Sequence, residues 1–172
     1  MGAIIVISGP VGAGKTTVAR ELLARTPPPA AFVEGDAFWP FVAKPRPQAP
    51  RQQAFQTIMK AMFRSAAAFA GDGFTALLDF SMPPTFLERA SARVSDPIHF
   101  VVLKPALAVC TARAAERVEG RIDDYEPYAA LYDLFQVPER HVLANDELAP
   151  AAAAAEIAAG VRAGRFRYAA EP

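Results

Sequence analysis

The sequence predicts an α/β domain, a three-layer αβα sandwich in which helices cover both faces of a five-stranded parallel sheet. Two observations support this prediction. Short apolar runs, rich in β-branched residues, alternate along the 172-residue chain with longer stretches whose apolar residues recur at helical spacing. A glycine-rich segment, Gly9 to Thr16, also separates the first apolar run from the first helical stretch. Sheets of this class bind ligands beyond the carboxyl ends of their strands, so the functional residues are expected there.

Each strand is predicted where an apolar run is bounded by glycine, proline or polar residues. The strands lie at residues 3–7, 30–34, 74–80, 98–103 and 141–144. Each helix is predicted where apolar residues follow one face, and prolines mark several ends because they are tolerated only in a first helical turn. The helices lie at residues 17–25, 51–70, 84–94, 105–117, 126–135 and 150–162. Prolines interrupt residues 44–50, which are therefore predicted to form an irregular loop.

The composition is that of an ordinary globular domain, and residues 1–172 are predicted to form a single one. Lysine plus arginine and aspartate plus glutamate number 18 each, so broad electrostatic binding to nucleic acid or to an acidic membrane is not expected. The lone cysteine, Cys110, excludes an internal disulfide and fits a reducing cytoplasm. We find no leader peptide and no membrane-spanning stretch. The expectation is a cytoplasmic monomer or homodimer that acts on a small-molecule substrate.

The segment from Gly9 to Thr16 fits the phosphate-binding pattern G-x-x-x-x-G-K-[ST], and it has the required strand before it and helix after it. Side chains at its glycines would keep a phosphate from the backbone N–H groups, and the helix N-terminus adds partial positive charge. Lys15 is placed to reach the β- and γ-phosphates, and the Thr16 hydroxyl to bind Mg²⁺. The segment predicts that ATP and Mg²⁺ are the cofactors. The predicted nucleotide contacts here are Gly9, Gly12, Ala13, Gly14, Lys15, Thr16 and Thr17.

Two aspartates follow predicted strands. Asp36 comes after the second strand, where a carboxylate can accept the proton of a substrate hydroxyl, although a turn or helix cap would also favour aspartate. Glu34 is a weaker candidate for the same role. Asp79 ends the third strand after an apolar run, which is typical of the carboxylate that holds Mg²⁺ opposite the loop threonine. Phe80 follows it instead of a glutamate, and this weakens an interpretation as a motor ATPase.

Arg113, Arg117 and Arg121 recur every four residues, and the first two share one face of the predicted helix. Guanidinium groups aimed at one place suit a triphosphate, whose charge redistributes during phosphoryl transfer, whereas a solvated charged face is the ordinary alternative. Because the row runs into Gly120 and a pair of aspartates, we interpret residues 113–127 as a mobile lid. Arg113 and Arg117 are predicted nucleotide contacts, and Arg117 is a predicted catalytic residue.

An aromatic cluster, Phe38, Trp39 and Phe41, follows Asp36. Core packing is the default role of such residues, but their place after a strand end suggests that Phe38 and Trp39 wall the acceptor pocket. Arg51 is a further predicted substrate contact, and Arg46 and Arg64 are other cations that could bind phosphates of a charged substrate. His99 and His141 each begin a strand at the opposite end and are interpreted as structural or surface residues.

These motifs together resemble the small P-loop phosphotransferases, the shikimate kinase, gluconate kinase and chloramphenicol phosphotransferase group. The residues that carry the resemblance are Gly9 to Thr17, Glu34-Gly35-Asp36, Leu77-Leu78-Asp79 and Cys110-x-x-Arg113-x-x-x-Arg117. The resemblance implies a nucleoside-monophosphate-kinase-like fold with strand order 2-3-1-4-5, and it implies that Asn145 borders the adenine. Gluconate kinases carry a second acid and a histidine after the aspartate. Ala37-Phe38-Trp39 stand here instead, which favours a more apolar acceptor.

Three functions fit these features. The first is an ATP-dependent kinase that phosphorylates a hydroxyl of a small molecule. The second is a nucleotide or nucleoside kinase of the same fold, and a nucleotide sugar is also open as an acceptor. The third is a nucleotide-binding regulator that signals by lid closure. A guanine-specific switch is not expected, because the sequence has no N-K-x-D segment.

Overall fold

The computed structural model describes residues 2–44, 51–92, 94–118 and 120–169, without the side chains of residues 51 and 52. Most of the predicted proline-rich loop and the side chain of Arg51 lie outside the described residues, as does Arg46. In the part that is described, no helix is long and apolar enough to cross a membrane.

The sheet has the predicted order, β2-β3-β1-β4-β5, and these five strands are parallel. The strands are β1 Ala3–Ser8, β2 Ala30–Glu34, β3 Thr75–Asp79, β4 Ile98–Leu103, β5 Val142–Leu143 and β6 Arg167–Tyr168. The sixth strand was not predicted from the sequence. It is antiparallel to β4, where Tyr168 lies opposite Ile98 and Arg167 lies opposite His99. Two residues of mixed polarity give no detectable strand pattern, so only the tertiary pairing defines β6.

The helices are α1 Lys15–Arg25, α2 Arg51–Gly71, α3 Pro84–Ser91, α4 Leu107–Ala115, α5 Glu126–Tyr132 and α6 Pro150–Arg162. Short 3₁₀ helices at Asp36–Phe41 and Glu139–His141 were not predicted. The predicted end of α4 at Arg117 is wrong, because the helix stops at Ala115. The returning chain causes this early end: the amide of Ile122 donates to the carbonyl of Ala114 at 3.1 Å.

The three predicted layers are present, with an apolar core on each face of the sheet. The residues of β1 alternate between the two cores, as a pleated strand requires. Ile4 and Val6 pack in the core that includes Met62 of α2. Ile5 and Ile7 pack in the core that includes Leu22 of α1, together with residues of α4 and α6.

The strand register determines which residues meet at the carboxyl edge of the sheet. Asp79 at the end of β3 lies opposite both Ile7 of β1 and Glu34 of β2. The glycine-rich segment leaves β1 at this edge, so Asp79 is brought beside it. Ser8 secures the arrangement, because its Oγ donates to the carbonyl of Met82 at 2.7 Å and accepts from the Met82 amide at 2.9 Å.

Both histidines are buried, and neither lies in the cleft described below. His141 is 2% exposed; its Nδ1 bonds to the carbonyl of Phe100 at 2.9 Å, and its Nε2 accepts from Arg140 Nε at 3.1 Å. This pair of partners fits only the neutral ring protonated on Nδ1. Burial lowers the pKa of His141, and the charge of Arg140 lowers it further. Burial and then the charge of Arg167 lower the pKa of His99.

We predict that the protein loses stability as the pH falls below about 6.5, the ordinary pKa of histidine. The unfolded chain binds protons there that the folded chain does not, so each buried histidine reduces the free energy of unfolding by at most about 1.4 kcal/mol per pH unit. The contribution is absent above about pH 7.5. Urea denaturation of the protein and of His141→Gln between about pH 7.5 and 5.5 measures it, and the variant should show the shallower dependence. Equal slopes for the two proteins would exclude His141 as a source.

Candidate active site

The glycine-rich segment folds as the loop that its sequence pattern predicts. Gly9 and Gly12 have φ values of 139° and 80°, which other residues adopt only under strain. A Cβ at Gly9 would also collide with the carbonyl oxygen of Leu103, and one at Gly12 with that of Cys110. From the sequence, glycine is expected at these positions because a side chain would keep a phosphate from the backbone N–H groups. The structure adds a second reason, since β4 and α4 pack directly behind the loop.

Two side chains from later in the sequence donate hydrogen bonds to carbonyl groups of this loop. The hydroxyl of Tyr125 donates to the carbonyl of Val11 at 2.7 Å, and Nδ2 of Asn145 donates to the carbonyl of Ala13 at 2.9 Å. In a trans peptide the C=O and the following N–H point in opposite directions. Fixing these carbonyls therefore fixes the amides of Gly12 and Gly14 with the opposite orientation, which favours an anion in front of the loop.

Asn145 and Arg113 were both predicted to contact the nucleotide, and the structure places both in the support of the loop. Asn145 follows β5 and is 2% exposed. Arg113 Nη2 donates to the carbonyls of Asn145 and Asp146 at 3.0 and 2.9 Å. The carboxylate of Asp146 in turn accepts from the Ala106 amide at 2.7 Å. This chain of bonds joins α4 to the segment after β5, and that segment to the phosphate loop.

In front of the loop lies a cleft of about 1300 Å³. One end of the cleft contains most of the residues predicted to carry out chemistry. They are Lys15, Thr16, Asp36, Asp79 and Arg117. We call this part the reaction end. Thr17 lies on the exposed side of α1 and does not line the cleft.

The charges at the reaction end are strongly coupled. Desolvation of its ammonium lowers the pKa of Lys15 to about 8, while Asp79 and Asp36 counteract this and Arg117 adds to it. Lys15 Nζ donates to the carbonyl of Pro10 at 2.8 Å. Asp79 is 4% exposed, and burial raises the pKa of its carboxyl despite the Thr16 hydroxyl and the Lys15 charge, which favour the ionised form. Burial therefore disfavours the charged form of both groups.

The three arginines predicted to converge on a triphosphate lie apart in the structure. Only Arg117 lines the cleft. Arg113 supports the loop, and Arg121 Nε pairs with Asp123 at 2.6 Å on the exposed surface. The reason is the early end of α4, because the spacing of four residues places side chains on one face only while the helix continues. Arg117 reaches the reaction end from irregular chain.

An aromatic wall joins the reaction end to the rest of the cleft. Trp39 lies beside Phe55 with ring centroids 6.4 Å apart, and Phe55 stacks on Phe80 at 5.0 Å. Trp39 was predicted to line this pocket and does. Phe38 instead packs against Phe41, at 5.7 Å, and against the core, outside the cleft. Phe55 and Phe80, which also line the cleft, were not predicted to do so. The helical spacing of Phe55 with Met59 and the position of Phe80 after Asp79 were the available signals.

The reaction end fits a magnesium ion held largely by phosphate and water. Thr16 and Asp79 interact directly, and an oxygen pair of this kind is what Mg²⁺ uses beside phosphates. Among the described residues, no group of three or more histidine, cysteine, aspartate or glutamate side chains could hold a metal ion without such help.

We predict that Asn145→Asp lowers the free energy of unfolding and the affinity of the phosphate loop for ATP. The change replaces the donor to Ala13 by a carboxylate oxygen that faces a carbonyl, at a cost of about 1–3 kcal/mol or more in the free energy of unfolding. Thermal denaturation measures the loss, and a titration with ATP and Mg²⁺ should show weaker binding. Asp146→Asn is the matched control, because its Oδ1 can still accept from Ala106. Wild-type stability and affinity in Asn145→Asp would show that this bond does not support the loop.

Comparisons with known proteins agree with this fold. The family model described as AAA domain matches residues 4–144. The structure of the Deinococcus radiodurans tunicamycin resistance protein is similar, with a TM-score of 0.71 and 19% identity over 94% of this chain and 96% of that one. The Mycobacterium tuberculosis APS kinase CysC, in complex with AMPPNP and APS, gives 0.67 and 18% over 94% and 98%. A Sinorhizobium meliloti gluconokinase gives 0.66 and 16% over 94% and 92%.

Among curated proteins, none matches the sequence. The sequence identities to the solved structures are low, so the similarity to them shows the fold alone. The family model covers most of the chain and includes the glycine-rich loop, Asp36 and Asp79. The chain therefore belongs to the AAA domain family, and its fold is that of the small P-loop kinases.

Proposed function

We propose that this protein is an ATP-dependent kinase that transfers the γ-phosphate to a hydroxyl group of a small molecule. The observation that carries the proposal is the position of Asp36. Its carboxylate lines the same cleft as Lys15, Thr16 and Asp79, and it is close enough to influence the pKa values of Lys15 and Asp79. A carboxylate at the phosphate end of an open cleft is the group that an attacking hydroxyl needs.

Asp36 has the properties of a general base. It is exposed, and it begins the 3₁₀ helix at the end of β2. The amide of Gly35 donates to the carbonyl of Asp79 at 2.9 Å, which fixes the base relative to the metal-binding carboxylate. Glu34, the weaker candidate from the sequence, is paired with Arg20 at 3.0 Å. Asp36 is therefore the better base.

The remaining residues of the reaction end act on phosphate charge. Lys15 and Arg117 are the cations of the cleft that lie at the loop, and both suit the γ-phosphate. Thr16 and Asp79 would hold Mg²⁺. When bound, that ion neutralises charge on the β- and γ-phosphates. Several structural neighbours are kinases, one of them solved with AMPPNP, and this supports nucleotide binding.

In the proposed reaction the acceptor hydroxyl displaces ADP from the γ-phosphorus of ATP. The acceptor hydroxyl oxygen forms a bond to the γ-phosphorus, and its proton passes to the carboxylate of Asp36. The bond from the γ-phosphorus to the oxygen that bridges it to the β-phosphate breaks, and ADP leaves with that electron pair. Lys15 and Arg117 stabilise the charge that develops on the transferred group and on the leaving oxygen.

We predict that Asp36→Asn lowers kcat about 10²–10⁴-fold, because the amide cannot accept the proton, while ATP binding changes little. The measurement is ADP release across a panel of alcohols, sugars, nucleosides and antibiotics, with Lys15→Ala as the blank. Glu34→Gln is the matched control and should retain activity. If Asp36→Asn phosphorylated its best acceptor at the wild-type rate, the assignment of the base would be wrong. If no acceptor gave ADP above the blank, the kinase proposal itself would fail.

A second prediction concerns pH. The pKa of Lys15 is lowered to about 8 in the free protein, and only its charged form attracts a triphosphate. The phosphate groups are fully ionised above about pH 7.5. Between about pH 7.5 and 8 the ATP affinity should therefore change little, and above pH 8 it should fall by up to about tenfold per unit, with proton uptake approaching one proton.

Calorimetric titrations with ATP and Mg²⁺, in two buffers that differ in ionisation enthalpy, measure the proton uptake directly. Uptake of nearly one proton is expected near pH 9, and of about a quarter of a proton near pH 7.5. Lys15→Arg is the control, since guanidinium does not titrate in this range and its affinity should not depend on pH in this way. Equal proton uptake at both pH values would contradict a pKa near 8 for Lys15.

A further inference from the structure

The cleft extends well past the reaction end, into a groove between α2 and α3. Its floor is apolar, with Met59, Phe63 and Ala67 from one face of α2, and Phe86 and Ala90 from α3. The whole cleft, with the reaction end where a triphosphate would lie, has a volume of about 1300 Å³, above the roughly 300–1,000 Å³ of ordinary small-molecule pockets. The groove therefore provides room for a second ligand beside the phosphates.

Apolar side chains that face the cleft are left exposed on its third side. Leu131 of α5 is 41% exposed, and Leu134 just beyond α5 is 50% exposed. Exposed apolar side chains that line a cleft are typical of a binding site. An apolar part of a ligand between these leucines and the floor would remove both from water.

The rim of the groove is cationic. Gln56, Lys60 and Arg64 follow each other at intervals of four on α2, beside the apolar row of the floor, and Arg89 faces them from α3. Lys60, Arg64 and Arg89 are exposed. Within the described part of the chain, none of these three cations has an ion pair or a hydrogen bond.

The acids that line the cleft, Asp36 and Asp79, are at the reaction end, so the two ends differ in charge. Arg64 follows Phe55 by nine residues on α2, which places it about 13 Å farther along the helix axis. Phe55 itself stacks on Phe80, next to Asp79. Arg64 in the cationic rim therefore lies about 13 Å along α2 from the aromatic wall beside the reaction end.

We infer that the acceptor is an elongated molecule with an aromatic or apolar body and an anionic group at the end remote from the reacting hydroxyl. The hydroxyl lies at Asp36, the body lies on the floor beside Phe63 and Phe86, and Arg64 and Arg89 bind the anion. The inference rests on the proposed function, since it names the class of acceptor at the same site. The alternative is that these cations are only solvated at the surface and bind no ligand. The two interpretations differ in whether the arginines strengthen the binding of an anionic ligand.

The first experiment uses 8-anilinonaphthalene-1-sulfonate, an aromatic sulfonate, and its uncharged analogue N-phenyl-1-naphthylamine as probes. Fluorescence titration of the wild-type protein should give tighter binding of the sulfonate. The double variant Arg64→Gln/Arg89→Gln should bind the sulfonate about tenfold or more weakly and the neutral probe almost unchanged. Arg162→Gln, an exposed arginine of α6 outside the cleft, is the matched control for lost charge. Equal sulfonate binding by the double variant and the wild type would overturn the inference.

The second experiment measures ADP release with aromatic alcohols in matched pairs, neutral or carrying a sulfonate, carboxylate or phosphate. The charged member should have the lower KM, and the double variant should raise the KM of that member about tenfold with little change in kcat. If no alcohol were turned over while sulfonate binding still required the arginines, the proposed function would fail and the anion site would stand. If the neutral members were preferred by wild type and variant alike, the kinase would stand and the inference would fail.

Discussion

The hydrogen bonds behind the phosphate loop are the constraint on which the rest of the site depends. Tyr125, just before α5, and Asn145, after β5, each donate a hydrogen bond to a carbonyl of the loop. Because a fixed carbonyl fixes the next amide, these bonds determine where an anion can sit. The same bonds make the loop sensitive to the position of the segment between α4 and α5, since Tyr125 belongs to it.

Burial is the largest cause of the shifted pKa values of Lys15 and Asp79 at the reaction end. Lys15 and Asp79 are both taken from water, and each loses part of its preference for the charged form. Under the proposed function, a triphosphate would favour the charged form of Lys15 and a divalent cation the charged form of Asp79, so the two ligands would compensate different groups.

Much of this architecture could be predicted from the sequence. The buried strands, the loop motif and the acids at strand ends carry strong local signals, and the resemblance supplied the strand order. The parts that failed depend on tertiary contacts. β6 exists because β4 offers an unpaired edge, and α4 ends because the chain returns to Ala114. Arg113 and Asn145 were predicted to contact the nucleotide, whereas in the structure Asn145 bonds to the carbonyl of Ala13 in the loop and Arg113 bonds to the carbonyls of Asn145 and Asp146.

Arg113, Arg117 and Arg121 lie apart although they recur every four residues, because α4 ends at Ala115. A spacing of four residues predicts a shared direction only within an unbroken helix, and Arg117 lies beyond the end of α4. On α2 the helix is continuous, and Gln56, Lys60 and Arg64, four residues apart, all line the cleft. The difference matters for function. A cation on a rigid helix recognises a group at a fixed distance, whereas, under the proposed function, Arg117 on the connecting chain would be able to adjust to the transferred phosphate.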